Sequence, residues 1–123
     1  MIEYCLQKAR NLPLEKGKQR VYSCVVNKRG HIIGESANLY HKSHPLQKEY
    51  SVKAGLAEER CFLHSEVASI IKSAKKNQLN CTLFVARVGK GGKALDAVPC
   101  PSCRIAIKEC GFIMSVQYSV GEI

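Results

Sequence analysis

A chain of 123 residues with 46% hydrophobic and 24% charged side chains can bury one real core but not two, which excludes the fibrous and disordered classes and points to one domain over 1–123. Nineteen Lys and Arg against ten Asp and Glu leave a formal charge of +9, which either attracts phosphate-bearing partners or serves as a solvated basic face. The start "MIEYCLQKARNLPLEK" lacks the apolar core of a signal peptide, and no apolar run is long enough to cross a bilayer; the expectation is a cytoplasmic protein without a membrane partner.

Ile2, Cys5, Leu6 and Ala9 share one face at helical spacing, which predicts a first helix over 2–11, broken by "NLPLEKGKQR". "RVYSCVV" and "HIIGES" are β-rich runs on either side of the turn "NKRG", the pattern of a hairpin. Residues 39–60 are polar, contain Pro45 and Gly55 and keep no period, so they read as a long loop carrying one helical turn. Val67, Ile70, Ile71 and Ala74 then recur at i, i+3, i+4 and i+7, an amphipathic helix whose end "KSAKKN" places cations where the helix dipole favours them. "CTLFVARV" reads as a buried strand and "GKGGK" as a loop. Cys103, Ala106, Ile107 and Cys110 form a helix stopped by Gly111, and "FIMSVQYSV" is a last strand. This order predicts a three-layer α/β/α sandwich on a mixed sheet of four to five strands, with a hairpin as the antiparallel part and the later crossovers as the parallel part.

The seven cysteines are Cys5, Cys24, Cys61, Cys81, Cys100, Cys103 and Cys110. Most stand singly among apolar residues, and without a secretion signal they are expected to be reduced. "VPCPSC" differs, because it sets two sulfurs three residues apart at a helix start. Zinc takes thiolate or neutral imidazole ligands, and a hydrolytic site uses three of them and leaves the fourth position for water. Cys100, Cys103 and His64, the last at the preceding helix start, meet that count, and both helices would turn their positive ends to the ion. Glu66, two residues beyond His64, would lie beside the metal without binding it, where a carboxylate can carry a proton.

Three other readings compete. A dithiol redox motif is disfavoured by position, since a thioredoxin-like fold has most of its sheet after the pair and here twenty residues follow Cys103. A structural zinc site needs a fourth ligand, for which His41, His44 and Cys110 have no persuasive spacing. A capping histidine followed by a first-turn acid is the ordinary reading of an isolated H-x-E.

H-x-E at one helix start and P-C-x-x-C at the next, with a strand between, is the pattern of zinc-dependent nucleobase deaminases. With "HSE" over His64–Glu66 and "PCPSC" over Pro99–Cys103, the chain resembles the cytidine deaminase-like superfamily across roughly residues 20–120. It is closer to the deoxycytidylate and nucleic-acid deaminase side, where the first ligand is His. The resemblance implies one zinc ion per chain on His64, Cys100 and Cys103, with Glu66 as proton shuttle. It also implies that Asn38 holds the substrate's sugar, although capping the strand end is its alternative role. The backbone amide of Ser65 or Cys100 is a candidate donor to the pyrimidine carbonyl, and Pro99, Tyr40 and Phe62 are further candidate substrate contacts.

The activity so implied is hydrolytic deamination of cytosine to uracil in a pyrimidine nucleotide such as deoxycytidylate, with phosphate cations from His41, Lys42, His44 or Lys48. A single-stranded DNA or RNA substrate is the alternative, favoured by the basic charge and by Tyr40, Tyr50 and Phe62 as stacking surfaces. A nucleic-acid-binding module with a structural zinc is a third reading, which Glu66 argues against. Homo-oligomers are common among such domains. Two departures bear on substrate choice: "LDAVPC" lacks the Trp of vertebrate-type polynucleotide deaminases, and "DAV" replaces the Thr-Leu-Glu of tRNA adenosine deaminases. Related domains often carry another strand and helix after the last strand, so a sequence ending at Ile123 carries the expectation of a shorter pocket rim.

Overall fold

The computed structural model describes residues 1–55 and 62–121. Its elements in chain order are α1 (Ile2–Arg10), β1 (Arg20–Val26), β2 (Ile32–Ala37), α2 (Pro45–Lys53), α3 (Ser65–Ala74), β3 (Cys81–Val88), β4 (Ala94–Leu95), α4 (Pro101–Cys110) and β5 (Ile113–Tyr118). Successive side chains of a strand point to opposite faces, and that alternation builds the layers here. Cys24 and Val26 of β1 and Ala86 and Val88 of β3 pack with Cys5, Leu6 and Ala9 of α1. Val21, Val25, Leu83 and Val85 face the other way, towards Ile107 of α4 and Phe112. On that side α3 and α4 meet through Val67, Ala68, Ile70, Cys103 and Ala106, with Tyr50 of α2 joining the same cluster. The result is the expected α/β/α layering around five strands.

The sheet runs β2-β1-β3, and the far edge of β3 is shared by β4 and β5. β1 is antiparallel to both β2 and β3, whereas β3 and β5 are parallel. Since β2 and β3 both oppose β1, the two chain crossovers, through α3 and through α4, each connect strands that run the same way. The expectation of a hairpin plus parallel crossovers therefore holds. Among the described residues no helix is long and apolar enough to cross a membrane.

One segment corrects the sequence reading. Part of the expected long loop, Pro45–Lys53, is a nine-residue helix whose start is capped by His44 Nδ1 accepting the Leu46 N–H at 3.1 Å, with Pro45 in the first turn. Its buried side chains are Gln47, Tyr50 and Ser51, so the face turned inward is largely polar and leaves no apolar period to detect. Residues 56–60 of the same segment, and Cys61, lie outside the described residues. The two-residue strand β4, just after "GKGGK", is a second difference, because a stretch that short carries no alternation to read.

Small residues bring α3 close to the sheet. A Cβ added at Gly34 of β2 would stand 2.6 Å from the Ser69 carbonyl oxygen and 2.3 Å from Ser73 Oγ, distances that no side chain tolerates without movement of the helix. Ser69 Oγ donates to the Ser23 carbonyl at 3.1 Å and meets Ser23 Oγ at 2.9 Å. These contacts fix the depth at which the first turn of α3 enters the molecule, and that turn carries His64, Ser65 and Glu66.

Candidate metal centre

His64 is the N-cap residue of α3 and Cys100 that of α4, both with extended backbone. Neither side chain caps its own helix, so both are free to turn towards each other. Pro101 opens α4 without an N–H to satisfy, and Cys103 follows within the first turn. His64 Nδ1 stands 3.3 Å from Cys103 Sγ and 3.5 Å from Cys100 Sγ. All three donor atoms lie within 4.8 Å of one another. Zinc bonds of about 2.0–2.3 Å in a tetrahedron place such atoms roughly 3.5–3.8 Å apart. One nitrogen and two sulfurs at these separations fit a single zinc ion with one position left over.

Burial and hydrogen bonding set the charges of these side chains. The Cys100 thiol is lowered to about 3 by the hydrogen bond from Cys103, with further help from His64 and Ser102 against the effect of burial. The fully buried Cys103 is pushed upward by that same bond and by desolvation, so it keeps the shared proton. Burial pushes His64 down, yet the Cys100 sulfur and the nearby Glu66 carboxylate outweigh it and hold the imidazole above its usual value. An arriving cation therefore meets one sulfur that already favours its thiolate form, and binding is coupled to proton release from the site.

Other contacts hold the ligands in place. Gln47 Oε1, from the unexpected helix α2, accepts the His64 backbone N–H at 3.1 Å. The Phe62 ring stacks on the His64 imidazole with centroids 4.6 Å apart, and Tyr40 lies against Phe62 at 4.4 Å. Backbone bonds from Leu39 N to Leu63 O and from Leu63 N to Lys42 O, each 2.9 Å, lace the segment after β2 to the segment before α3. Asn38 Oδ1 accepts the Ser65 N–H at 2.8 Å, and Asn38 Nδ2 donates to Tyr40 Oη at 3.2 Å. Ser65 Oγ donates to Glu66 Oε1 at 2.7 Å. The Pro99 carbonyl accepts Arg104 Nε at 3.0 Å, closing the first turn of α4 from below.

A cavity of about 150 Å³ opens beside this cluster, and its wall includes Asn38, Phe62, His64, Glu66 and Cys100. Glu66 is 7% exposed, so its carboxylate is almost wholly enclosed yet borders the cavity. Of the other residues singled out in the sequence, Tyr40 stands behind Phe62, Ser65 is fully buried and Pro99 is buried, and none of the three lines the cavity. Tyr50 is buried among α3 and α4 and presents no stacking face. His44 is occupied as a cap, and Lys48 lines a separate depression along α2. Gln19 and Arg87, which sequence reasoning passed over, do line the cavity; they reach it only because β1 and β3 pair side by side, which no local pattern announces.

Residues 1–120 match the model of the cytidine and deoxycytidylate deaminase zinc-binding region. The chain belongs to this deaminase family. Among curated proteins none matches it significantly. Within this zinc-binding family domain, His64, Cys100 and Cys103 are positioned to bind one metal ion. The match also takes in α1, which lies ahead of the region where the sequence resemblance begins.

Proposed function

We propose that this deaminase hydrolyses the exocyclic amine of cytosine in a pyrimidine nucleotide, giving uracil and ammonia, with Glu66 as the group that moves the protons. The observation that carries the reading is the placement of the Glu66 carboxylate: enclosed, tethered through one oxygen by the Ser65 hydroxyl at 2.7 Å, and facing the same cavity as His64 and Cys100. A zinc ion held by the three ligands supplies Lewis-acid activation of water at neutral pH. Glu66 takes a proton from the attacking water and passes it to N3 of the ring. It then takes the remaining proton from the new C4 hydroxyl and delivers it to the departing amine, so that the C4–N bond breaks, ammonia leaves and C4 becomes a carbonyl. A purely structural metal site has no use for a buried carboxylate in that position.

Asn38 suits the sugar of the substrate because both of its amide atoms are held by neighbours, so the side chain enters the cavity wall in one orientation. Phe62, stacked on a metal ligand, supplies an apolar flank for the base. Tyr40, Ser65 and Pro99 act one step back, propping Phe62, tethering Glu66 and closing the turn of α4. A single-stranded polynucleotide is a second reading of the substrate, favoured by the open basic depression next to the cavity.

The test is direct. Zinc-loaded protein is incubated separately with deoxycytidine monophosphate, cytidine and a cytosine-containing single-stranded oligonucleotide, and uracil is measured in each. Uracil from at least one, lost in Glu66→Gln with zinc still bound, is the expected result. Undiminished turnover by Glu66→Gln would remove Glu66 from the chemistry.

A further inference from the structure

The wall of the metal cavity continues into a larger depression of about 720 Å³, bounded by the loop before β1 and the turn between β3 and β4. Gln19 and Arg87 line both spaces, so the two adjoin along that edge. Five cations and one carboxylate face the depression: Lys16, Lys18, Arg20, Arg87 and Lys90 against Glu15. Three of the five already have a partner, Arg87 only through a long bond from Nη1 to the Asp96 carbonyl at 3.5 Å. Lys18 is paired with Glu15 at 2.6 Å, and Arg20 donates to the backbone carbonyls of Arg10, Gly89 and Lys90. Lys16, Arg87 and Lys90 form no ion pair among the described residues.

The groove is also held in shape before any ligand arrives. Arg20, 8% exposed, grips the turn that carries Lys90 from beneath, and Arg10 Nε donates to Gly92 O on the same turn at 2.9 Å. The turn closes on itself through Gly89 N to Lys93 O and Gly92 N to Gly89 O, both 3.0 Å. Gly92 sits at φ +81°, a conformation that suits glycine and lets the turn fold back tightly. The glycine-lysine run "GKGGK", which plays no part in the metal centre, is thus a rigid mount for a cation at the groove's edge. Positive charges fixed around a concave surface concentrate anions there.

We infer that this depression is a phosphate-binding groove, with Lys16, Arg87 and Lys90 as its cations and Gln19 and Arg87 at the junction where a ligand passes from base to phosphate. The assignment of the cytosine end rests on the deaminase reading above; the anion affinity stands on the groove alone. A space several times the size of the base cavity, lined by three cations outside any ion pair among the described residues, suits more than one phosphate. Those phosphates belong either to a free nucleotide or to neighbouring positions of a single strand, and the chemistry of recognition is the same.

Binding without chemistry separates this inference from the deaminase reading. Inorganic tripolyphosphate and an oligothymidylate, neither containing cytosine, are titrated into the full chain and into the double variant Lys16→Glu/Lys90→Glu, with Arg87→Gln as a second variant. Both lysines are exposed, so thermal melting should show the double variant folded. The expected outcome is salt-sensitive binding by the parent chain and a loss of about tenfold or more in the double variant. The preference in kcat/KM for deoxycytidine triphosphate or a cytosine oligonucleotide over deoxycytidine should fall by a similar factor. Preference for the triphosphate assigns the phosphates to a free nucleotide, and preference for the oligonucleotide to a strand; either supports the groove. Absence of binding by the parent chain, or equal binding by parent and variants, overturns it. Intact tripolyphosphate binding with no uracil from any cytosine ligand overturns the deaminase reading and leaves the groove standing.

Discussion

Asn38 Oδ1 accepts the backbone N–H of Ser65 at 2.8 Å, joining the end of β2 to the first turn of the helix that begins at His64. The bond satisfies one of the N–H groups that a helix start leaves without an internal partner, and it holds the His64–Glu66 turn at a set height above the sheet. The same side chain borders the cavity and donates to Tyr40, so it serves both the scaffold and the pocket wall.

Replacing Asn38 by Ala removes the acceptor and should lower stability by about 1 kcal/mol. Under the proposed role of Asn38 at the sugar, KM for the nucleotide should also rise. Asn38→Asp keeps an acceptor for Ser65 but loses the donor to Tyr40. Thermal melting and steady-state kinetics on both variants separate the two duties: Asp should recover most of the stability and little of the KM. Equal recovery of both would leave Asn38 a scaffold residue alone.

The ligands and the carboxylate should fail differently. Cys100→Ser and Cys103→Ser each remove a thiolate from a three-donor site, so zinc per chain, measured by atomic absorption after dialysis, should fall well below one. The Cys103 change should also cost stability, because that side chain is fully buried between α3 and α4. Glu66→Gln should keep its zinc while turnover drops by about 10²–10⁴-fold, the range of a lost acid-base group. Zinc loss in Glu66→Gln comparable to that of the cysteine variants would make the carboxylate a ligand.

On the opposite side of the sheet, the Glu35 carboxylate accepts the hydroxyls of Tyr4 at 2.5 Å and Tyr22 at 2.6 Å, tying α1 to β1 and β2. Burial works to raise Glu35, but the two hydroxyls outweigh it and hold the carboxyl below its ordinary value. Its stabilisation is therefore complete above the unfolded-state value near 4.5 and is lost as pH falls through the lower folded value. Tyr4 is raised to about 12, first by its bond to Glu35, and Tyr22 is raised by burial and the same carboxylate. The Tyr4 contribution is full below the ordinary value near 10 and disappears as pH climbs through about 12, and that of Tyr22 persists to still higher pH. Denaturation followed against pH should show both limbs, and Glu35→Gln should flatten both. Tyr4→Phe should cost about 1 kcal/mol at neutral pH, and a pH profile unchanged in Glu35→Gln would refute the coupling.

The metal ligands were legible because H-x-E and P-C-x-x-C are short patterns whose geometry is set within one helical turn, and a turn forms the same way wherever it is packed. The layers followed from the order of helical and β-rich segments along the chain, which leaves few ways to cover both faces of one sheet. Helix α2 was not legible, since Gln47 and Ser51 on its buried face are polar, and the partner that Gln47 meets, His64, lies beyond the helix in the chain. Its start nevertheless carried a local sign in His44 followed by Pro45, a capping acceptor ahead of a residue suited to the first turn. Gln19 and Arg87 gained their place in the cavity wall from the pairing of β1 with β3, which brings together residues distant in sequence.

Gln47 tests whether that buried polar face serves the metal. Its side chain has no exposure, Oε1 accepts the His64 N–H at 3.1 Å and Nε2 donates to Ser51 Oγ at 3.2 Å. Leucine of similar bulk would leave the His64 N–H without a partner in a buried setting, at a cost of about 1–3 kcal/mol. Since that N–H belongs to a ligand residue, zinc affinity should fall too, by about 10–100-fold as for other groups that orient ligands. Ser51→Ala removes only the distal partner of the same glutamine and leaves the His64 bond in place. Chelator competition should therefore show a marked zinc loss for Gln47→Leu and little for Ser51→Ala, while both variants lose some thermal stability. Equal zinc affinity in the two variants would mean that α2 supports the fold without orienting the histidine.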